Sequence, residues 1–249
     1  MTIGRQVSGL VRLLEAGWSL AKLDSEYIEV SSPAGESFLC RLRSADLLHL
    51  CEIYLDHIYG ETFSGIVVDI GASNGDSTVY FAKRGAELVV ALEPYQESFT
   101  LAARNVMKNG LGNKVVLVNM ALASSTGSKE LVGHRNSLNA LRIHEWSDQA
   151  GLGERKVRAS VQTTSMSHLM EQLDLKTVNF LKMDCEGCEY AVIAGSEVDF
   201  GVIKKICLEF HGDPRILVEA LISHGFLVER VDSKIHLLSA RRPSRTKDD

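Results

Sequence analysis

Two groups of residues in this chain of 249 could do chemistry. Asp184 closes an apolar run, Glu186 and Glu189 follow within one turn, and Glu209 and His211 stand further on at a spacing of two. That spacing puts both side chains on one face of a strand. A carboxylate or imidazole beside a hydroxyl can take its proton, so Asp184, Glu186, Glu209 and His211 are the candidate catalytic set. Hard oxygen donors such as Asp184, Glu186 and Glu209 could instead hold Mg²⁺. The residues do not require a metal, and none is assigned as a metal ligand. Glu189 reads as a solvated cap near the positive end of a helix.

The second group is a glycine turn, "IVVDIGASNGDST", over residues 66–78. Glycine removes the Cβ that would keep a ligand from the backbone, and it permits positive φ. The strand that follows, "ELVVALEP", ends in Glu93, 22 residues after Gly71. An acid there is placed to accept from the hydroxyls of a ribose. A dinucleotide would need free N–H groups for its pyrophosphate. Asp69 and Asp76 flank the turn and would repel one, but they suit a ligand carrying an ammonium and a sulfonium. S-adenosylmethionine is such a ligand. Asp69, Gly71, Ala72, Ser73 and Gly75 would take its methionine end and Glu93 its ribose. Asn119 and Ala121, at the end of the third strand, would read the adenine edge.

The elements that position these groups alternate. Apolar runs at 66–70, 87–93, 114–120, 177–184 and 202–210 read as strands, and helical spacing fills 78–84, 96–108 and 214–224. Such alternation predicts an α/β fold, a mostly parallel sheet with helices on both faces. "FLVERVDSKIHLLSA" predicts a closing hairpin and one antiparallel edge strand. Residues 1–60 read as a helix–hairpin–helix extension packed on the core, 61–240 as the main domain and 241–249 as a polar tail. In the extension, Val7, Leu10, Val11, Leu14 and Trp18 form the expected apolar helix face. Residues 44–59 are expected as one helix, and 124–164 as a hairpin plus loop.

The net charge of -5 gives no general reason to bind nucleic acid or an anionic membrane. No uncharged apolar run is long enough to span a bilayer. Five cysteines without secreted-scaffold spacing suit a reducing, cytoplasmic setting. Cys185-Glu186-Gly187-Cys188 is a C-x-x-C, which raises a redox or zinc site. The motif lies on a large sheet and lacks a clear second ligand pair, so both cysteines are expected to pack as small hydrophobes.

Taken together, "VVDIGASNGDST", "ALEPYQESF", "VNMALASSTG", "NFLKMDCEGCEYAVIAG" and "ICLEFH" resemble the FkbM family of S-adenosylmethionine-dependent methyltransferases. The most specific element is "KMDCEGCE", an acid-x-Glu-Gly-x-Glu run. Ser73 departs from the third glycine common in the wider superfamily. The resemblance implies a class I methyltransferase (Rossmann-like) fold of seven strands in the order 3-2-1-4-5-7-6. It also implies O-methylation of a hydroxyl on a sugar or other small metabolite. The rivals are an NAD(P)-dependent oxidoreductase on the same sheet and a non-catalytic adenosyl-binding module. The second would not require the cluster from Asp184 to His211.

Overall fold

In the computed structural model, residues 3–42, 44–134, 141–143, 156–194 and 200–243 are described. Helix α1 (Ile3–Glu15) leads into a three-stranded antiparallel sheet of β1 (Ser19–Leu23), β2 (Tyr27–Ser31) and β3 (Ser37–Arg41). The hairpin between β2 and β3 matches the expected one, and β1 is an additional strand. Helix α2 (Asp46–Leu50) then runs into a π-helical turn, Cys51–Leu55, instead of one regular helix over 44–59.

The expected face of α1 packs only in part, through Leu10. Val7, Val11 and Leu14 are 53, 45 and 44% exposed, whereas Leu13 is fully buried. The helix docks through Gly9, where a Cβ would come within 3.2 Å of the Leu47 backbone. Close approach at a residue without a side chain therefore sets the docking face. Trp18 lies beyond the helix and packs between Phe38 and Tyr54.

The main sheet follows from β4 (Ile66–Ile70) onward. Helix α3 (Asp76–Lys83), β5 (Leu88–Leu92), α4 (Gln96–Lys108) and β6 (Val115–Val118) complete its first half. A second sheet is then formed by β7 (Ala121–Leu122), β8 (Gly127–His134), β9 (Arg142–Ile143) and β10 (Lys156–Thr164), ordered β7-β10-β8-β9. Strands β8 and β10 are the expected hairpin; residues 135–140 and 144–155 of that stretch lie outside the described residues. Next come α5 (Met166–Gln172), β11 (Phe180–Met183), α6 (Cys188–Ile193), β12 (Lys205–Glu209), α7 (Pro214–Ser223), β13 (Leu227–Asp232) and β14 (Leu237–Arg241). Two of these helices start on side-chain caps, Ser165 for α5 and Asp213 followed by proline for α7.

The seven-stranded order is β13-β14-β12-β11-β4-β5-β6. Numbered from the first strand of this sheet, it is 3-2-1-4-5-7-6, the class I methyltransferase topology. The antiparallel strand expected at the edge is β14, which sits one place in, between β12 and β13. It includes Arg241, so the tail begins later than 241; residues 244–249 lie outside the described residues.

Period-two alternation sorts the strands into two cores. Val67, Val89, Ala91, Phe180 and Cys207 face α3, α4 and the N-terminal elements. Val68, Ile70, Val90, Leu92, Leu181, Met183, Ile206 and Leu208 face α5, α6 and α7. Edge-to-face contacts run from Trp18 through Tyr54 and Tyr80 to Phe81 and Phe180, joining the extension to the sheet. From α4, Asn105 and Asn109 bond the backbones of Leu39 and Ser37 on both N–H and C=O.

One buried ion pair locks the extension over the glycine turn. Arg41 donates from Nε and Nη2 to the two oxygens of Asp46, and also to Ser98 and Ser73. Removing one member of a buried pair leaves an uncompensated charge, typically worth about 3–5 kcal/mol. Asp46→Ala is expected to lose that much stability in urea denaturation; a loss below about 1 kcal/mol, the range of an exposed pair, would contradict this role.

Candidate functional site

The glycine turn is held from below. Lys182 on β11 stands opposite Asp69 on β4, both fully or nearly buried, with Nζ 3.1 Å from Asp69 Oδ1. Nζ also donates to the carbonyls of Gly71 at 2.7 Å and Ile70 at 3.3 Å. Asp69 Oδ2 accepts from the hydroxyls of Ser77 and Thr78, in the first turn of α3. Burial works against the charged lysine, but Asp69 and Asp184 outweigh it and raise its pKa. Gly71 has φ 77°, and a Cβ there would lie 1.8 Å from the carbonyl oxygen of Asp184. Only glycine fits between β4 and β11 at that point.

Above this turn lies a cavity that opens to solvent. Its polar wall includes Gly71, Ser73, Glu93 and Asp184, and its apolar wall includes Leu92, Pro94, Ala121, Leu122, Leu131 and Ile143. The second sheet supplies Leu131 and Ile143, so the 124–164 segment forms part of the wall. Glu93 accepts from the backbone N–H of Ser73 at 2.9 Å and of Tyr95 at 2.8 Å, which fixes its carboxylate toward the cavity. Burial pushes its pKa up to about 7, although those two bonds and Arg41 pull the other way. An acid beside a narrow apolar slot fits a ribose carrying a flat base. The residues present therefore fit an adenosyl group.

A second cavity adjoins the first. It is lined by Glu52, Asp76, Lys182 and Glu209 among others, and shares His49, Gly71, Ser73 and Asp184 with its neighbour. His49 Nδ1 lies 3.9 Å from Asp76 Oδ2, a buried oxygen with no hydrogen bond among the described residues. Burial raises the Asp76 pKa to about 6. For His49, burial opposes the charged ring, yet Asp76, Glu52 and Asp184 together raise its pKa.

Of the expected cofactor residues, Gly71, Ser73, Glu93 and Ala121 line the first cavity. Four do not. Asp69 is spent on Lys182 and α3, below the cavity floor. Ala72 is fully buried, with its N–H bonded to the Leu92 carbonyl. Gly75 caps α3 at φ 83° against Ala102. Asn119 turns its amide onto the carbonyls of Glu93 and Pro94, tying strand ends together.

Among the expected catalytic residues, Asp184 lines both cavities, Glu186 the first and Glu209 the second. His211 lines neither. Its Nε2 lies 3.4 Å from Glu186 and 3.8 Å from Glu209, and its Nδ1 3.6 Å from Glu189. Burial opposes its charge, but Glu189, Glu186 and Asp184 push its pKa up to about 9. A ring charged at neutral pH has no lone pair to offer as a base. Burial, then Asp184, raises the Glu209 pKa. One donor atom each from Asp184, Glu209 and His211 lie within 4.8 Å of one another, a spacing that a divalent cation could bridge.

Glu189 is not solvated. It is fully buried and accepts from the N–H groups of Cys185 and Gly187, each at 2.8 Å. Nor do the C-x-x-C cysteines pack as separate hydrophobes: Cys185 and Cys188 are joined in a disulfide. Sequence reasoning missed His49, Glu52 and Lys182. A lysine inside the apolar run "FLKMD" was a usable signal, because buried on both faces it demands a counter-charge. "LLHLC" carried no comparable signal for His49.

A family described as "Methyltransferase FkbM domain" matches residues 69–233, more than half of the chain. Comparison with curated proteins returns no match. Among solved structures, TrmK from M. capricolum in complex with S-adenosyl-homocysteine is similar at 12% identity and a TM-score of 0.45. The alignment covers 78% of this chain and 71% of that one. Methyltransferase FkbM from Methylobacillus flagellatus KT is similar at 14% identity and a TM-score of 0.48, covering 72% of this chain and 44% of that one. Precorrin-6y C5,15-methyltransferase from Geobacter metallireducens GS-15 gives 15% identity, a TM-score of 0.43 and coverage of 77 and 87%.

Glu93→Ala is expected to weaken S-adenosylhomocysteine binding by about 1–3 kcal/mol in calorimetry, the range for a lost charged acceptor. Because the carboxyl titrates near 7, affinity should fall as pH drops through that value and the acceptor is protonated. Glu93→Gln should flatten the profile. A wild-type affinity constant between pH 6 and pH 8 would remove Glu93 from the ribose contact.

Proposed function

Since the chain belongs to the FkbM methyltransferase family and is S-adenosylmethionine-dependent, we propose that it methylates a hydroxyl of a sugar or other small polyhydroxylated metabolite. The observation that carries this reading is the boundary between the two cavities. Only His49, Gly71, Ser73 and Asp184 line both, among the described residues. A methyl donor in the first cavity and an acceptor in the second would meet there.

When bound, S-adenosylmethionine supplies a methyl group on a sulfonium. Glu93 holds the ribose, and Leu92, Ala121, Leu122 and Ile143 exclude water around the base. Gly71 and Ser73 keep the backbone open at the boundary. Asp184 orients the acceptor hydroxyl, and His49 takes its proton at one ring nitrogen while Asp76 lies behind the other. Positioning contributes most, because an in-line displacement gains chiefly from alignment and exclusion of water. The polar lining of the second cavity, with His49, Glu52, Asp76, Lys182 and Glu209, offers acceptors and donors suited to several hydroxyls. Glu209 and Asp184 remain acceptor contacts, and Glu186 faces the donor side. His211 is proposed to hold the Glu186 turn in place rather than to move a proton. No helix among the described residues is long and apolar enough to cross a membrane. We read the chain as a cytoplasmic enzyme for a small-molecule acceptor, with no nucleic-acid or membrane partner.

His49→Gln and Asp184→Asn are expected to bind S-adenosylhomocysteine within a few-fold of the parent. Turnover should fall on the order of 10²-fold or more, the usual contribution of a positioned base. Labelled S-adenosylmethionine with a panel of sugars, glycosides and polyols provides the assay. The parental rate should rise with pH above the ordinary imidazole value, since the His49 pKa is raised, and His49→Gln should lose that rise. Full turnover in both variants would end this assignment.

A further inference from the structure

One feature of the cavity wall serves neither ligand position nor proton transfer. Cys185 and Cys188 both line the cofactor cavity, and a disulfide joins them across Glu186 and Gly187. Both intervening residues have positive φ, 57° and 114°. A side chain adopts that conformation only when its surroundings hold it there. Here the covalent ring and the two N–H bonds to Glu189 do so. Glu186 itself lines the cavity, so whatever frees this turn alters the wall.

The two sulfurs differ in access. Cys188 is 1% exposed, while Cys185 is half-buried at the cavity surface. The other cysteines, Cys40, Cys51 and Cys207, are buried and free. Burial raises the pKa of each, which leaves them poor competitors in thiol exchange.

We propose that Cys185 and Cys188 are a thiol–disulfide modification site that sets how tightly the cavity holds its adenosyl ligand. This rests on the cofactor reading above. The reductant is a dithiol. One of its thiolates attacks Cys185 Sγ through the cavity; the Cys185–Cys188 bond breaks, and its electron pair leaves on Cys188 Sγ, which takes a proton. The second thiolate of the reductant then attacks the mixed disulfide and releases Cys185 as a thiol. Two electrons and two protons reach the protein, and the reductant leaves as its own disulfide. The reverse reaction needs a disulfide oxidant such as oxidised glutathione.

Once reduced, the sulfurs must separate to non-bonded distance, and the turn loses its covalent closure. Glu186 then keeps its contacts through Glu189 and His211 but loses the covalent constraint on its left-handed conformation, and the wall beside Gly71 and Asp184 relaxes. Reduction therefore weakens ligand binding. By linkage, bound ligand opposes reduction by the same factor, and it also covers Cys185.

The test uses the whole chain, oxidised with glutathione disulfide or reduced with dithiothreitol, without denaturant. After acid quenching, alkylation in denaturant and mass spectrometry should count two more modified cysteines, 185 and 188, in the reduced sample, with slower reduction when S-adenosylhomocysteine is present. Calorimetry should find S-adenosylhomocysteine bound about 5-fold or more weakly to the reduced protein, the lower range of a coupling between sites. The double variant Cys185→Ser/Cys188→Ser should match the reduced affinity with or without dithiothreitol. Equal affinity in both states overturns this proposal alone, as does a pair that resists excess dithiothreitol while circular dichroism shows an intact fold. An oxidised protein that binds no S-adenosylhomocysteine overturns the cofactor reading and this proposal together.

Discussion

The pairing of Lys182 with Asp69 is the constraint on which the site depends. It puts two full charges inside a sheet, where neither could survive alone. The lysine is long enough to pass its partner and reach the carbonyls of Ile70 and Gly71 as well. Asp69 in turn collects the hydroxyls of Ser77 and Thr78. One ion pair thus fixes two strands, the glycine turn and the start of α3. Gly71 can then press against the Asp184 carbonyl, which sets the distance between the cavity floor and the end of β11.

This arrangement separates acids that build from acids that face a ligand. Asp69, Asp46 and Glu189 are consumed by Lys182, Arg41 and two backbone N–H groups respectively. Asp184, Glu52, Asp76 and Glu209 stay at cavity surfaces with few cations among them. Their mutual repulsion shows in the raised pKa values of Glu52 and Glu209, after burial itself. The same field charges His211 and biases His49, so the position of each imidazole, rather than its type, decides which could move a proton.

Much of the fold was legible because it follows from short-range rules. Apolar runs such as "IVVDI" and "LVVAL" are buried on both faces, and their alternation with helices left one architecture open. The topology of β14 was harder, since a hairpin pattern does not say which of its strands inserts next to β12. In the candidate site, the place of Gly71, Ser73, Glu93, Ala121 and Asp184 on the cavity wall was legible from strand ends alone. The turn of Asp69 to Lys182 was not legible because its partner comes from a strand 113 residues away in sequence, and a pattern of one strand cannot show which face its acid turns to. The bonds of Asn119 to Glu93 and Pro94 were hidden for a similar reason: an amide at a strand end serves a neighbouring loop as readily as a ligand. His49 arrives from the extension, whose packing depends on Gly9 and on the aromatic chain through Tyr54.

The asparagines of α4 have a bearing on solubility. An open sheet edge is a template on which a second molecule can add a strand. Along β3 that template is already occupied: two side-chain amides present the donor and acceptor that a foreign strand would bring. Among the described residues, the far edge, β1, has no such cover, and its five side chains are all exposed. It carries instead a bulge between Leu20 and Lys22, with the lysine itself on the edge. One border is closed by mimicry and the other spoiled by irregular register and charge, so this small sheet resists runaway polymerisation from either side.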